Sequence, residues 1–265
     1  MPLIKAAFMG VLEGLTEFLP ISSTGHLLIA QQWLGPKSDL FNIVIQSGAI
    51  LAITLVFRER LLSLAAGWRQ AEQRDYLLKL ALAFVVTAGV GLPVRLMGWK
   101  LPETVVPVAL ALILGGVAML AIERALAHRP GQTHIGWNVA VWVGLAQVVA
   151  GVFPGTSRSA AAIFAAMLAG ALARPAAAEF AFLVGIPTMF AASAFAVLEY
   201  ASNTQAPPEN WAALAVAFGT AALTGFAVVR WLMAWIKGHS FAPFAWYRIA
   251  FGIAVLVAAW AGLVA

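Results

Sequence analysis

Apolar runs long enough to cross a lipid bilayer recur along the whole chain, and this pattern constrains the fold more than any other feature. A membrane-spanning helix needs about 20 residues to cross a hydrocarbon core of roughly 30 Å. With 62% hydrophobic and 10% charged residues, the composition lies far from that of a soluble globular domain. The sequence therefore predicts an all-α, polytopic membrane helix bundle. Its six expected spans lie near residues 41–57, 76–97, 105–123, 180–198, 211–231 and 244–263.

Two further apolar stretches, 3–34 and 137–173, are each interrupted by a proline within a cluster of small polar residues. The interruptions read "LPISSTGH" and "FPGTSRSA". The pieces on either side have about 11–17 residues, which at a helical rise of about 1.5 Å per residue is too short to span the bilayer. We interpret each stretch as a re-entrant helix–loop–helix hairpin. The alternative is one long helix kinked at proline in each case.

The two broken stretches align with each other without a gap, which indicates an internal repeat. The aligned pairs include Gly10 with Gly144, Pro20 with Pro154 and Ser23 with Ser157. Each half, about 1–130 and 131–265 of a single integral membrane domain, then contains one hairpin and three spans. Because three is odd, the second half is expected to enter the membrane inverted, an architecture in which ligand sites form between the repeats.

Basic residues predict the orientation in the membrane. Ten Lys and Arg residues fall in 58–79, 124–136, 230–240 and at Arg174, against four on the other side. By the positive-inside rule the first set is cytoplasmic, so both termini and the mouth of the first hairpin are expected to face outward. We expect 58–79 to be a solvated cytoplasmic connector without chemistry.

Several other classes are excluded by simple features. The chain has no cysteine, so disulfides and thiolate metal sites are excluded. Its net charge of +5 is scattered over segment ends and not gathered on one polar face, which argues against a nucleic-acid partner. The first apolar stretch lacks a basic start and a small-residue cleavage site, so we do not interpret it as a cleaved signal peptide.

Glu13 and Glu17 lie one helical turn apart, so both carboxylates face the same side of the first helix. Two charged carboxylates in an apolar setting repel each other and need a cation, a shared proton or water. Carboxylate oxygens suit hard cations, so the pair predicts a divalent metal site, for Mg²⁺ or Ca²⁺.

The polar clusters at the two breaks are suited to holding an anion. In the first, Ser22, Ser23 and Thr24 can cap a helix N-terminus, and His26 follows one turn inside. Helix N-termini bind anions, and a hydroxyl three residues before an imidazole is equipped for proton transfer.

The second cluster repeats this design and adds a cation. Gly155 allows a tight turn, Thr156 and Ser157 can cap, and Arg158 can hold a phosphate through its planar fork. If the two hairpin tips meet, two helix N-termini, one arginine and one metal converge on a phosphate ester or diphosphate.

The segments "EGLTEFLPISSTGHL" (13–27) and "PGTSRSA" (154–160) resemble the two signature motifs of the undecaprenyl-diphosphatase family, of the bacterial bacitracin-resistance type. "IQSGAILA" (45–52) and "AEFAFLVGIPTMF" (178–190) resemble flanking spans of that family. The resemblance implies a metal-dependent hydrolase of the bacterial inner (cytoplasmic) membrane. Such an enzyme removes one phosphate from undecaprenyl diphosphate, the lipid carrier of cell-wall synthesis. Expected partners are this lipid and the bilayer, with a homodimer left open and no nucleic acid.

The resemblance also implies roles for individual residues. Glu13 and Glu17 match the family's acidic pair, Ser23 and His26 its candidate catalytic residues, and Arg158 its phosphate-binding arginine. Further polar positions of the two loops are matched by Ser22, Thr24, Thr156, Ser157 and Ser159. The chain departs from the usual pattern at Ala160, where glycine is common, and at Asn42, where an acidic residue is common.

Several mechanisms fit this pattern. Ser23 can attack phosphorus with His26 as its base, His26 can itself form a phosphohistidine, or a metal-bound water can attack. A different class of function, a carrier or flippase for an anionic lipid or solute, also uses hairpins in inverted repeats. The unequal division of ionisable residues between the halves argues for the enzyme, since Glu13 and His26 fall opposite Gln147 and Ala160.

Overall fold

The computed structural model describes residues 2–99, 104–129, 131–202 and 209–264. Over these residues the chain forms eleven α-helices and one isolated bridge, between Gln132 and Leu172. In chain order the helices are α1 (Leu3–Thr16), α2 (Ser23–Leu34), α3 (Asp39–Val56), α4 (Arg58–Ala66), α5 (Ala71–Leu96), α6 (Val105–Leu126), α7 (Trp137–Val152), α8 (Arg158–Gly170), α9 (Arg174–Ser202), α10 (Trp211–Trp235) and α11 (Ala242–Trp260). The predicted all-α class is confirmed.

Six of the described helices, α3, α5, α6, α9, α10 and α11, are long and apolar enough to cross a membrane. They coincide with the six predicted spans. Many large apolar side chains point outward, among them Ile4, Leu223 and Trp260. Such side chains are an unusual surface in water, but they suit contact with lipid. The chain is therefore a multi-pass membrane protein.

Each of the two broken stretches forms two short helices joined by a loop, and neither is a single kinked helix. The first loop (residues 17–22) separates α1 from α2, and the second loop (residues 153–157) separates α7 from α8. In the first stretch the cause is local: the ring of Pro20 would clash with the carbonyl of Thr16, where α1 ends. That the hairpins re-enter from opposite leaflets stays a prediction.

Corresponding helices of the two halves make corresponding contacts. Helix α1 packs against α10, and α7 packs against α5. The approach is close in both pairs, because a Cβ at Gly10 would lie 2.1 Å from the carbonyl oxygen of Ala217, and one at Gly144 would lie 2.7 Å from that of Ala83. Gly10 and Gly144 are the glycines that the repeat alignment pairs. Small residues at such crossings allow helix backbones to pack tightly in membranes.

Helix α9 packs against α3, α5 and α8. Its side chains Phe180, Leu183 and Val184 are fully or almost fully buried, and they belong to the largest apolar cluster. This cluster also includes Phe18 of the first loop and Ala160 near the start of α8. Both loops are thus anchored in the apolar core.

The 58–79 segment is mostly helical, and most of its charged residues are exposed, whereas Lys79 is not. It contains α4, and α5 begins at Ala71, earlier than the predicted span. Lys79 is buried, with 2% exposure. Its Nζ donates to Asp75 one turn earlier and lies 5.4 Å from the ring centroid of Trp137. A charged residue in a loop segment was expected to be solvated, but here an ion pair one turn away and an aromatic ring allow its burial.

Candidate active site

The two loops end in the same backbone conformation. Ser22 and Ser157 have φ angles of 73° and 70°, a left-handed region that residues with side chains seldom adopt. Each serine caps the next helix, since Ser22 Oγ accepts from the backbone N–H of Gly25 at 3.4 Å and Ser157 Oγ from that of Ala160 at 3.3 Å. Strained residues held in this way cluster at functional sites.

The first loop contacts the first turn of α8 directly. The hydroxyl of Ser159 donates to the carbonyl oxygen of Leu19 at 3.1 Å, and Arg158 Nη2 lies 3.3 Å from Glu17 Oε1. The N-termini of α2 and α8 therefore line the same pocket. Six of the predicted site residues line the polar pocket there: Glu17, Ser22, Ser23, Thr24, Ser157 and Arg158.

Glu17 is the centre of the hydrogen bonds in this pocket. Its Oε2 accepts from Ser23 Oγ at 2.5 Å, while its Oε1 accepts from Arg158 Nη2. The same nitrogen of Arg158 lies 3.3 Å from Gln46 Oε1. The Glu17 side chain is 5% exposed and that of Arg158 32%. The carboxylate is therefore shielded, whereas part of the guanidinium remains open to a ligand.

Glu13 lies one turn before Glu17, is fully buried, and does not line the pocket. Both of its carboxylate oxygens are without a hydrogen-bond partner within the described structure. Such a buried carboxylate needs a proton or a cation close by. Across the described ranges no group of three or more His, Asp or Glu side chains could hold a metal ion, so within them the candidate ligands are the pair Glu13 and Glu17. Two carboxylates suit Mg²⁺, which usually keeps several waters and binds substrate phosphates as well.

His26 is held by hydrogen bonds from both ring nitrogens and by ring stacking. Its Nδ1 donates to the carbonyl oxygen of Ser22 at 2.7 Å, and its Nε2 lies 2.7 Å from the hydroxyl of Tyr247. Because a carbonyl can only accept, the neutral ring accepts the Tyr247 hydrogen bond at Nε2. The ring also stacks on Phe251, with centroids 4.4 Å apart. Both ring nitrogens of His26 thus have other partners, whereas the hydroxyl of Ser23 bonds Glu17.

The other predicted site residues lie beside the pocket. Thr156 does not cap α8; its carbonyl oxygen accepts from Arg248 at 3.0 Å. Ser159 Oγ lies 3.1 Å from Ser157 Oγ. Asn42, one of the two departures from the family pattern, lies outside the lining and bonds Gln31 at 3.4 Å.

Comparison with known proteins identifies the family of the chain. A family model described as bacitracin resistance protein BacA matches residues 6–254. The chain belongs to this family. A protein named undecaprenyl-diphosphatase from Xylella fastidiosa (strain 9a5c) is 61% identical over 254 residues, covering 96% of this chain and 97% of the relative. Another protein of that name, from Xanthomonas oryzae pv. oryzae (strain PXO99A), is 60% identical over 255 residues, covering 96% of each chain. The resemblance inferred from the two motifs is confirmed.

Three residues around the pocket of this BacA family member were not singled out from the sequence. Gln46 and Gln147 line the pocket, and the side-chain oxygen of Gln147 has no partner among the described residues. Arg248 is fully buried and bonds both loops. Its signal was present in the sequence, because a charged residue within an apolar span is costly and usually functional.

Proposed function

We propose that this chain is an integral membrane phosphatase that hydrolyses undecaprenyl diphosphate to undecaprenyl phosphate and inorganic phosphate, and so recycles the lipid carrier of cell-wall synthesis. The observation that carries the proposal is the meeting of two helix N-termini at a pocket lined by Ser23, Glu17 and Arg158. The names of the relatives specify the substrate. The spans around the pocket supply the apolar surface that a polyprenyl tail requires.

The diphosphate is bound by groups of both loops. Backbone N–H groups at the starts of α2 and α8 point toward a ligand in the pocket and favour negative charge. Arg158 adds a planar fork that matches phosphate oxygens. Because its side chain is one-third exposed, the guanidinium can hold Glu17 with one nitrogen and phosphate with the others.

Ser23 is the nucleophile in this proposal, and Glu17 takes its proton. The Ser23 Oγ attacks the terminal phosphorus as its proton passes to Glu17 Oε2, to which it is already hydrogen-bonded. The bond between that phosphorus and the bridging oxygen breaks, and undecaprenyl phosphate leaves with the bridging oxygen. Water then hydrolyses the phosphate ester on Ser23, which releases inorganic phosphate and restores the hydroxyl. His26 positions the first loop through its bond to Ser22.

Glu13 and Glu17 are the residues that would hold a divalent metal, Mg²⁺ or Ca²⁺. The two unpartnered oxygens of Glu13 support this assignment, because hard cations prefer carboxylate oxygens. When bound, the cation neutralises charge that builds up on the transferred phosphate.

The membrane and the orientation belong to the proposal as well. We place the protein in the bacterial cytoplasmic membrane, with both termini and the mouth of the site facing outward. The asymmetry of basic residues supports this orientation. Since the chain lacks cysteine, single cysteines at Pro36 and Trp68 can be labelled with a membrane-impermeant reagent in intact cells. The P36C variant should react and W68C should not; the reverse pattern would invert the topology.

The activity itself is tested by phosphate release from undecaprenyl diphosphate by the purified protein in detergent. Wild type should release one phosphate per lipid, and the release should stop when a chelator is added. A wild-type protein that binds the lipid but releases no phosphate would contradict the proposal and favour the carrier. Release that is insensitive to the chelator would remove the metal from the proposal while leaving the phosphatase.

A further inference from the structure

Arg248 is a fully buried arginine within an apolar span, and among the described residues its guanidinium bonds only to backbone carbonyls. In the described part of the chain no carboxylate forms an ion pair with it. Its five hydrogen bonds, of 3.0 to 3.3 Å, go to the carbonyl oxygens of Pro20, Ala111, Leu112, Gly155 and Thr156. Burying a charge in an apolar setting costs free energy, and proteins retain such a charge only where hydrogen bonds satisfy all of its polar atoms.

The acceptors of Arg248 belong to three separate parts of the structure. Pro20 lies in the first loop, Gly155 and Thr156 lie in the second loop, and the other two acceptors lie on α6. A single nitrogen, Nη1, donates to both loops, at 3.3 Å to Pro20 and at 3.0 Å to Thr156. One guanidinium group therefore joins the two loops to each other and to a membrane-spanning helix.

Two glycines make room for the guanidinium group of Arg248. A Cβ at Gly115 of α6 would lie 2.2 Å from Arg248 Nη2, so only glycine leaves room for the guanidinium there. Gly155 has a φ of 90°, and a Cβ on it would lie 2.7 Å from the carbonyl oxygen of Val108. Glycine at both positions lets α6, the second loop and Arg248 approach closely. Arg248 itself does not line the pocket.

We propose that Arg248 is a positioning residue for the phosphatase reaction, holding the two loops in the relative position in which Ser23 and Arg158 face the same diphosphate. This inference rests on the proposed function. Ser23 begins α2 and Arg158 begins α8, so the position of the nucleophile relative to the bound phosphate depends on what joins the loops. Phosphoryl transfer relies on positioning and charge stabilisation, and a displacement of about 1 Å can lower the rate about 100-fold.

The substitution Arg248→Lys tests the proposal, because lysine keeps the positive charge but lacks the five-donor planar fork. We expect kcat for phosphate release to fall about 100-fold while KM changes by no more than about threefold, since Arg158 and both helix N-termini still bind the substrate. Arg230→Lys is the control for losing a guanidinium elsewhere, because Arg230 is exposed on α10 and packs over Phe226. It should behave as wild type.

Hydrogen–deuterium exchange separates positioning from general stability and does not depend on turnover. In Arg248→Lys, peptides covering residues 17–25 and 153–160 should exchange faster together, while peptides from α3 and α10 exchange as in wild type. A second variant, Gly115→Ala, displaces the guanidinium while retaining Arg248. It should show the same faster exchange in both loops, and it replaces the lysine variant if that variant does not fold.

Three results would overturn the proposal: a wild-type kcat in both variants, a reduced kcat with unchanged exchange in both loops, or faster exchange throughout the bundle. Wild-type protein that releases no phosphate would instead contradict the proposed function, and the exchange data would still report whether Arg248 holds the loops.

Discussion

Ser23 donates a 2.5 Å hydrogen bond to Oε2 of Glu17, across the break that separates α1 from α2. The hydroxyl and the carboxylate both line the pocket that Arg158 enters from the second hairpin. A hydroxyl bonded to a shielded carboxylate is a nucleophile whose base is already in place. The expected effects of substitution follow from this relationship.

Removing the Ser23 hydroxyl should abolish turnover while leaving the lipid bound. For Ser23→Ala we expect kcat to fall by about 1000-fold or more. Ser193→Ala is the matched control, since Ser193 is also a buried serine and its hydroxyl bonds Ser47, on α3. A Ser23→Ala variant with more than a tenth of wild-type activity would exclude Ser23 as the nucleophile.

Replacing Arg158 by lysine should impair turnover severely although the charge is kept. Lysine lacks the planar fork that can bind Glu17, Gln46 and phosphate together, so we expect kcat/KM to fall about 100-fold. Steady-state kinetics with a short-chain prenyl diphosphate measure this directly. Unchanged kinetics would show that charge alone matters at this position.

Neutralising either carboxylate of the acidic pair should weaken metal activation. Glu13→Gln should raise the metal concentration needed for half-maximal activity by about tenfold or more. Glu17→Gln should shift the metal titration in the same direction and also lower kcat, because it removes the base that bonds Ser23. Glu199→Gln serves as control, because Glu199 pairs with Arg95 far from the pocket. Should Glu13→Gln follow the wild-type titration curve, Glu13 holds a proton and no metal.

Removing the hydroxyl of Tyr247 should lower the stability of the first loop without abolishing the reaction. Tyr247→Phe leaves His26 Nε2 without its partner, and an unsatisfied polar group costs about 1 kcal/mol when partly buried. We expect a lower melting temperature in detergent and a loss of activity smaller than that of Ser23→Ala. Complete inactivation would instead place His26 and Tyr247 in the chemical step.

The sequence predicts the spans and the two helix breaks because these depend on local properties. Apolar length identifies the six long helices, and Pro20 with the hydroxyls after it accounts for the end of α1 and the start of α2. The pairing of Ser23 with Glu17 was not predicted. Helical spacing places Ser23 near His26, but Ser23 is the first residue of α2 and its side chain bonds back across the loop.

The role of Arg248 was also beyond sequence reasoning, for a different physical reason. Its partners Pro20 and Thr156 are 228 and 92 residues away in the chain, so no local spacing relates them. The internal repeat gave no help either, since the stretch containing Arg248 aligns with an uncharged stretch of α6, "ALALILGG" at 109–116. Only the cost of a charge within an apolar span indicated that this residue has partners.

The most direct test of the central claim is to identify the residue that carries phosphate during turnover. Wild-type protein is mixed with a prenyl diphosphate labelled in its terminal phosphate, quenched within one turnover, and digested for mass spectrometry under conditions that preserve both phosphoserine and phosphohistidine. We predict the label on Ser23, with none in the Ser23→Ala variant. Label on His26, or turnover without any labelled residue, would contradict the assignment of Ser23 as nucleophile and Glu17 as its base.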